Sequence, residues 1–172
     1  DCISSIKNVV KRIVVVDSFS EDKTVDIASG HGAEVHQHEF LNYSKQYKYA
    51  VEIANVKTKW ILRIDADERL TDKSAAELEK LCNDNQDTDV SGIVLRFYNM
   101  FLGKPMMHGG MYAWKKLSVC KAGLGDIEDR NMDEHIILSK GKTIVAREDS
   151  EHLAFRGLTF FINKCNWYSD RE

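Results

Sequence analysis

An α/β fold, with a mostly parallel central sheet flanked by helices, is what this sequence predicts, on three observations. Short apolar runs alternate with amphipathic stretches through the first half of the chain. The resulting order, β-α-β-α-β-α, calls for parallel strands joined by crossover helices. Two of the apolar runs also end abruptly in carboxylates, "RIVVV" at Asp17 and "WILRI" at Asp65-Ala66-Asp67, as strands do when they leave a buried sheet.

The elements follow in order. In "DCISSIKNVV", Ile3, Ile6 and Val10 fall at helical spacing with no capping residue before them, so the segment reads as the interior of a longer chain. "RIVVV" (12–16) is a buried strand. "SEDKTVDIASGHG" is a helix with Ser20 as its N-cap, acids in its first turn and glycines at its exit. "AEVHQH" (33–38) is a short strand, and His36 and His38 on it read as structural. "SKQYKYAVEIAN" is an amphipathic helix, with Tyr47, Ala50, Val51 and Ala54 on one face. "KWILRI" is the next strand, and residues 72–82 form a helix with Ala75, Leu78 and Cys82 inward. In the second half, "GIVLRFYNMFLG" and "KKLSVCKAG" are strand-like, and "HIIL" is expected to pair with "KTIVA" across the "SKGK" turn. "GLTFFINKCNWYSDRE" closes the chain as a helix, with Leu158, Phe161, Ile162 and Cys165 at helical spacing.

At 172 residues, the chain has the size of one domain, read here as two functional halves, 1–97 and 98–172. A composition 43% hydrophobic and 30% charged excludes a disordered chain. The longest aliphatic run, "IVVV", is far too short for a bilayer span. A formal charge of −3 argues against nucleic acid as a partner. Cys2, Cys82, Cys120 and Cys165 lack metal-ligand spacing and read as reduced thiols of a cytoplasmic protein. No stretch has the pattern of a signal peptide.

The acids carry the chemistry. In an open parallel sheet, ligands bind beyond the carboxyl ends of the strands, so adjacent strands would set Asp17 and the Asp65/Asp67 pair on one rim. Two carboxylates one residue apart repel unless a cation lies near, and a hard divalent ion with oxygen ligands suits them. Each position also has an ordinary structural reading: a turn at Asp17-Ser18, a solvated Lys45, a loop at Asp65/Asp67 that caps the next helix.

"VVVDSFSEDKTVDIA", "NYSKQYKYAVEIA" and "WILRIDADERLT", in that order and spacing, resemble glycosyltransferase family 2, the inverting nucleotide-sugar transferases with a GT-A, Rossmann-like fold. The resemblance covers essentially the whole chain, and its tail, "FRGLTFFINKCNWYSDRE", is similar to bacterial lipopolysaccharide-core and capsule transferases. It implies a further N-terminal strand beside "IVVVD", carrying a "PTYNE"-like segment, which this sequence lacks. It implies a UDP-sugar donor contacted by Asp17, Ser18, Lys45, Asp65, Ala66 and Asp67, and Mg²⁺ or Mn²⁺ held by Asp67 and His152. The acceptor would be a surface glycan or a lipid-linked glycan, which brings peripheral contact with the inner face of the cell membrane.

Inverting transfer also needs a base. "RNMDEHIILSKGK" resembles the "MDEH" or "VHE" segment of the family, which implies Glu134 in that role with Asp133 in reserve, since neighbours in extended chain point oppositely. Tyr112, Trp114 and His108 fall in a glycine-containing loop region that would border the acceptor. Two other classes remain open. A nucleotidyltransferase shares the acid–metal logic, and a binding module would hold nucleotide sugar or glycan without turnover. A haloacid-dehalogenase-like phosphatase fits poorly, because Arg69 stands where it needs Thr or Val.

Overall fold

The computed structural model describes residues 1–110, 112–130, 134–155 and 157–169. In chain order the elements are α1 (Cys2–Ile6), β1 (Val14–Asp17), α2 (Thr24–Gly30), β2 (Glu34–Gln37), α3 (Tyr43–Ala54), β3 (Trp60–Leu62), β4 (Glu68–Arg69), α4 (Asp72–Asp84), β5 (Val90–Phe101), β6 (Lys104–Pro105), β7 (Trp114–Lys121), β8 (Gly125–Ile127), β9 (Ile136–Leu138), β10 (Lys142–Phe155) and α5 (Leu158–Ser169). The expected alternation of strands and helices holds through β3, after which a second short strand, β4, precedes α4.

The sheet itself differs from expectation. Its main part is six-stranded, in the order β3-β7-β5-β10-β4 with β6 on β5, while β1-β2 and β8-β9 form separate pairs. Among the described residues only β1–β2 and β5–β10 are parallel, so the sheet is mixed rather than mostly parallel. The reason lies in the connections. Helices separate β1, β2 and β3, but β4 follows β3 through a turn and β5, β6 and β7 follow one another through loops, links that permit antiparallel pairing.

β5 is the spine. Ile93, Leu95 and Phe97 alternate along one face at 0%, 1% and 0% exposure, the period-2 pattern of a buried strand. They pack with Ile6, Leu70, Leu78, Val119 and Ala146, so α1 and α4 cover that face. α4 starts where it should: Thr71 accepts from the Ser74 N–H at 3.2 Å, and Ser74 Oγ accepts from the Thr71 N–H at 2.9 Å, a reciprocal cap.

Two local expectations need correction. β9 does not pair with β10 across the turn at 139–142; it pairs with β8, and β10 lies between β5 and β4. Gly141 makes this possible. At φ +89° it turns the chain so tightly onto β5 that a Cβ would sit 2.0 Å from Ser91 Oγ. Ser20 does not cap α2, whose N-cap is Lys23. Its hydroxyl and N–H are drawn instead to the ionised Asp17, a stronger acceptor than a helix end offers a donor. The face of α5 marked by Leu158, Phe161, Ile162 and Cys165 stays exposed, with Leu158 at 59% and Ile162 at 47%.

β1 and β3 are not neighbours, so the acids at their ends do not share a rim through strand pairing. A cleft of about 1680 Å³ opens between them instead. Val14, Val15 and Val16 line one side, Trp60, Ile61 and Leu62 the other, and it runs on to Asp65, Asp67, Glu134 and His152.

Candidate active site

Register builds the site. β3 and β7 are antiparallel, with Leu62 opposite Val119, and the Arg63 N–H continues the ladder to Ser118 O at 2.8 Å. The chain then leaves the sheet and turns through Asp65-Ala66-Asp67. The Asp65 N–H donates to Glu68 Oε2 at 2.9 Å, and the Glu68 N–H donates to Asp65 O at 2.9 Å, closing the turn. β4 then docks on β10 with Glu68 opposite His152, and the Leu153 N–H reaches Asp67 O at 2.6 Å. These contacts set Asp67 beside His152, 85 residues away in sequence.

Asp67 Oδ2 lies 3.4 Å from His152 Nε2. Asn99 Oδ1 accepts from Trp114 Nε1–H at 3.1 Å, which fixes the Asn99 amide with its oxygen inward. His152 Nδ1, 2.9 Å from that same oxygen, must therefore carry a proton. In the neutral ring, the Nε2 lone pair then faces the Asp67 carboxylate. A proton on Nε2 turns this contact into a charge-assisted hydrogen bond, and that state holds Asp67 below the usual carboxylate range although its side chain is partly buried. A lone pair and a carboxylate oxygen converging at this distance are a donor set suited to Mn²⁺ or Mg²⁺, with the remaining positions left to phosphate oxygens and water. Among the described residues no group of three or more His, Cys, Asp or Glu side chains is arranged to hold a metal.

Asp65 is engaged differently. Lys116 Nζ lies 2.7 Å from its Oδ2 and Arg63 Nε 3.8 Å from its Oδ1. Lys116 also meets Glu68 Oε1 at 2.8 Å. Burial pushes Glu68, 1% exposed, above the usual range, and the Lys116 charge opposes that rise.

Glu134 reaches the same wall. Its carboxylate, 6% exposed, is paired through Oε1 with Arg63 Nη2, and the residue lines the cleft. One guanidinium thus joins the expected base to the acids after β3. Asp133 lies outside the described residues. Tyr43 stands near them: burial, then the charges of Glu134, Asp65 and Asp67, raise its hydroxyl above the ordinary tyrosine value.

Asp17, Ser18 and Lys45 are not among the residues that line the cleft with Asp67. Asp17 is 5% exposed and accepts from Ser20 N–H at 2.9 Å, Ser20 Oγ at 2.5 Å and Gln37 Nε2 at 3.4 Å. Ser18 Oγ accepts from Gln46 Nε2 at 2.8 Å. The Lys45 N–H donates to the Asn42 cap at 2.9 Å while its side chain stays exposed. Trp114 packs flat on Phe97 at 4.7 Å and edge-on to His152 at 5.3 Å. Tyr112 donates to Asp149 at 2.7 Å, and His108 is exposed.

The bonds from Ser20 hold Asp17 well below the usual carboxylate range. A depressed folded value means stability that is present above the unfolded value, about 3.9, and lost as pH falls through the folded one. Asp17→Asn is therefore expected to be less stable than the parent at neutral pH, the difference shrinking as pH drops below about 4. Urea midpoints across pH 2.5–7 check this, and a difference that stays constant over the range contradicts it.

Sequence reasoning missed Arg63, Glu68, Asn99 and Lys116. Arg63 and Asn99 each interrupt an apolar strand, a signal that was there to be used; Glu68 and Lys116 become significant only through register.

No helix among the described residues is long and apolar enough to cross a membrane. Residues 1–168 match the family described as Glycosyl transferase family 2. A Rickettsia felis protein named "Uncharacterized glycosyltransferase" is 30% identical over 99% of this chain and 62% of its own length. A Rickettsia conorii protein with the same description is 29% identical over the same shares. One from Rickettsia bellii is 44% identical over 49% of this chain and 29% of its own length. The chain thus spans about three fifths of the length of the curated relatives that match 99% of it. Motif order, the α/β architecture and a match over nearly every residue agree: this chain belongs to glycosyl transferase family 2.

Proposed function

We propose that this chain is the catalytic domain of an inverting, divalent-metal-dependent glycosyltransferase that moves a hexose from a UDP-sugar to a bacterial surface glycan or lipid-linked acceptor. The observation that carries this reading is the convergence of Asp65, Asp67, Glu134 and His152, from three separate segments, on one cleft.

In this mechanism an acceptor hydroxyl oxygen forms a bond to the anomeric carbon while the bond from that carbon to the diphosphate breaks. Glu134 takes the hydroxyl proton through the oxygen that Arg63 does not hold, Arg63 fixing the direction in which the carboxylate faces. Asp67 and His152 would hold Mg²⁺ or Mn²⁺, which when bound stabilises negative charge on the departing diphosphate. Asp65, Ala66, Asp17, Ser18 and Lys45 would contact the donor's sugar and nucleoside. Residues 1–97 form the donor side and 98–172 the acceptor side, with β5 (Val90–Phe101) shared between them. The exposed apolar side chains Leu158, Phe160 and Ile162 on α5 support peripheral contact with the inner membrane face, where a lipid-linked acceptor would lie.

The test is incubation with Mn²⁺ and a panel of nucleotide sugars and acceptors. Release of nucleoside diphosphate supports the reading. Release of pyrophosphate would indicate a nucleotidyltransferase, and saturable binding without release a binding module.

A further inference from the structure

Lys116 sits among the acids although the transfer reaction just described assigns it no task. Continuing the β3–β7 register by three residues beyond Leu62–Val119 brings Asp65 opposite Lys116. The ammonium, on a side chain 16% exposed, spans Asp65 Oδ2 at 2.7 Å and Glu68 Oε1 at 2.8 Å. Glu68 is almost wholly buried and its other oxygen is taken by the Asp65 N–H, so this carboxylate is fixed in place. Asp65 is different: its side chain is 47% exposed and it lines the cleft, as Lys116 does. A lysine needed only to neutralise Glu68 would have no reason to hold the exposed acid as well.

The charge balance gives the pairing a meaning. Asp65, Asp67, Glu68 and Glu134 face Arg63 and Lys116, and the Lys164 charge also acts on Asp67, so the acids outnumber these cations by one. Without Lys116 the excess would be two, and Asp65 would turn to any cation bound at Asp67, two residues on.

We propose that Lys116 is a positioning residue that occupies Asp65 and thereby confines the divalent cation to Asp67 and His152, leaving Asp65 oriented for the sugar nucleotide. The proposal rests on the reading that this wall binds a cation with a diphosphate. It makes cation binding by the protein alone deliberately weak: an acid pair held by lysine does not trap metal before the donor's phosphates arrive. Charge removed within a few ångströms of a bound ion changes its affinity strongly at the effective dielectric of a protein surface.

The experiment measures Mn²⁺ binding from the loss of the free-ion EPR signal, with and without UDP. Lys116→Met alone would orphan the buried Glu68, so the comparison is made in a Glu68→Gln background, where no buried charge is left unpaired. Glu68→Gln/Lys116→Met is expected to bind Mn²⁺ at least about tenfold more tightly than Glu68→Gln, in the absence of UDP. Adding Asp65→Asn should abolish that gain, and Lys116→Arg in the otherwise unaltered chain should leave Mn²⁺ affinity as it was. Unchanged Mn²⁺ affinity in the double variant, or a gain that survives Asp65→Asn, overturns the role of Lys116. An unaltered chain that binds no Mn²⁺ even with saturating UDP overturns instead the metal-dependent reading on which the proposal rests.

Discussion

Asp67→Ala is expected to abolish the Mn²⁺ dependence of UDP binding and to lower turnover by about three orders of magnitude, equivalent to the several kcal/mol that a bound cation contributes to charge stabilisation. The size follows from the absence of a substitute. Asp65, two residues away, is held by Lys116 and Arg63, and the adjacent Glu68 is buried with both oxygens engaged. Glu134 is paired with Arg63. Asp67 faces the imidazole Nε2, and its depressed titration keeps it ionised through the neutral range. Truncation should cost little stability, since the side chain is well exposed at 38% and the turn is closed by backbone bonds and by Glu68. Titration of UDP with and without Mn²⁺ checks the expectation, with EDTA treatment of the parent as the matching control. Equal UDP affinity in the two conditions for the parent, or an unchanged difference in the variant, would count against Asp67 as a ligand.

How far this site could be read from residues alone depends on the range of each interaction. The strand that ends in Asp65-Ala66-Asp67 was legible because burial ending in charge is a local pattern. So was α4, whose Thr71 cap and inward Leu78 are both set by near neighbours in sequence. The pairing of β8 with β9 and of β10 with β5 was not legible. "HIIL", "KTIVA" and the turn between them carry hairpin chemistry, and what overrides it is the seat that β10 finds between β5 and β4, with Gly141 pressed against Ser91. Ser20 is not the cap of α2 for a comparable reason: a charged acceptor three residues back holds its hydroxyl and N–H, and the helix starts only at Thr24. The cations of the site follow the same rule. Lys116 is one of two adjacent lysines on an ordinary strand until register sets it opposite Asp65. His152 was named through the family resemblance, but its place beside Asp67 depends on β10 running beside β4 and its tautomer on Asn99. What sequence conveyed was the acids; what it withheld was the partners that decide which acid does what.

Glu134→Gln separates transfer chemistry from binding, and it is expected to cut turnover by about 10²–10⁴-fold while leaving UDP affinity intact. The amide keeps the volume of the carboxylate and an oxygen that can still accept from Arg63, so the side chain should stay in place while the proton acceptor is lost. Arg63 is the complication: its side chain is 13% exposed, and removing the Glu134 charge leaves it with Asp65 at 3.8 Å as its remaining acidic partner. If Arg63 then moves toward Asp65, donor affinity changes along with turnover. The two effects are told apart by Arg63→Gln, which frees Glu134 without removing it. A base that Arg63 merely orients should retain more activity in Arg63→Gln than in Glu134→Gln, whereas a structural ion pair should give two variants equally impaired in turnover and in thermal stability. Asp133→Asn completes the comparison. Turnover lost there and kept in Glu134→Gln would move the base by one residue, and the ion pair with Arg63 would then be a scaffold for the neighbouring carboxylate.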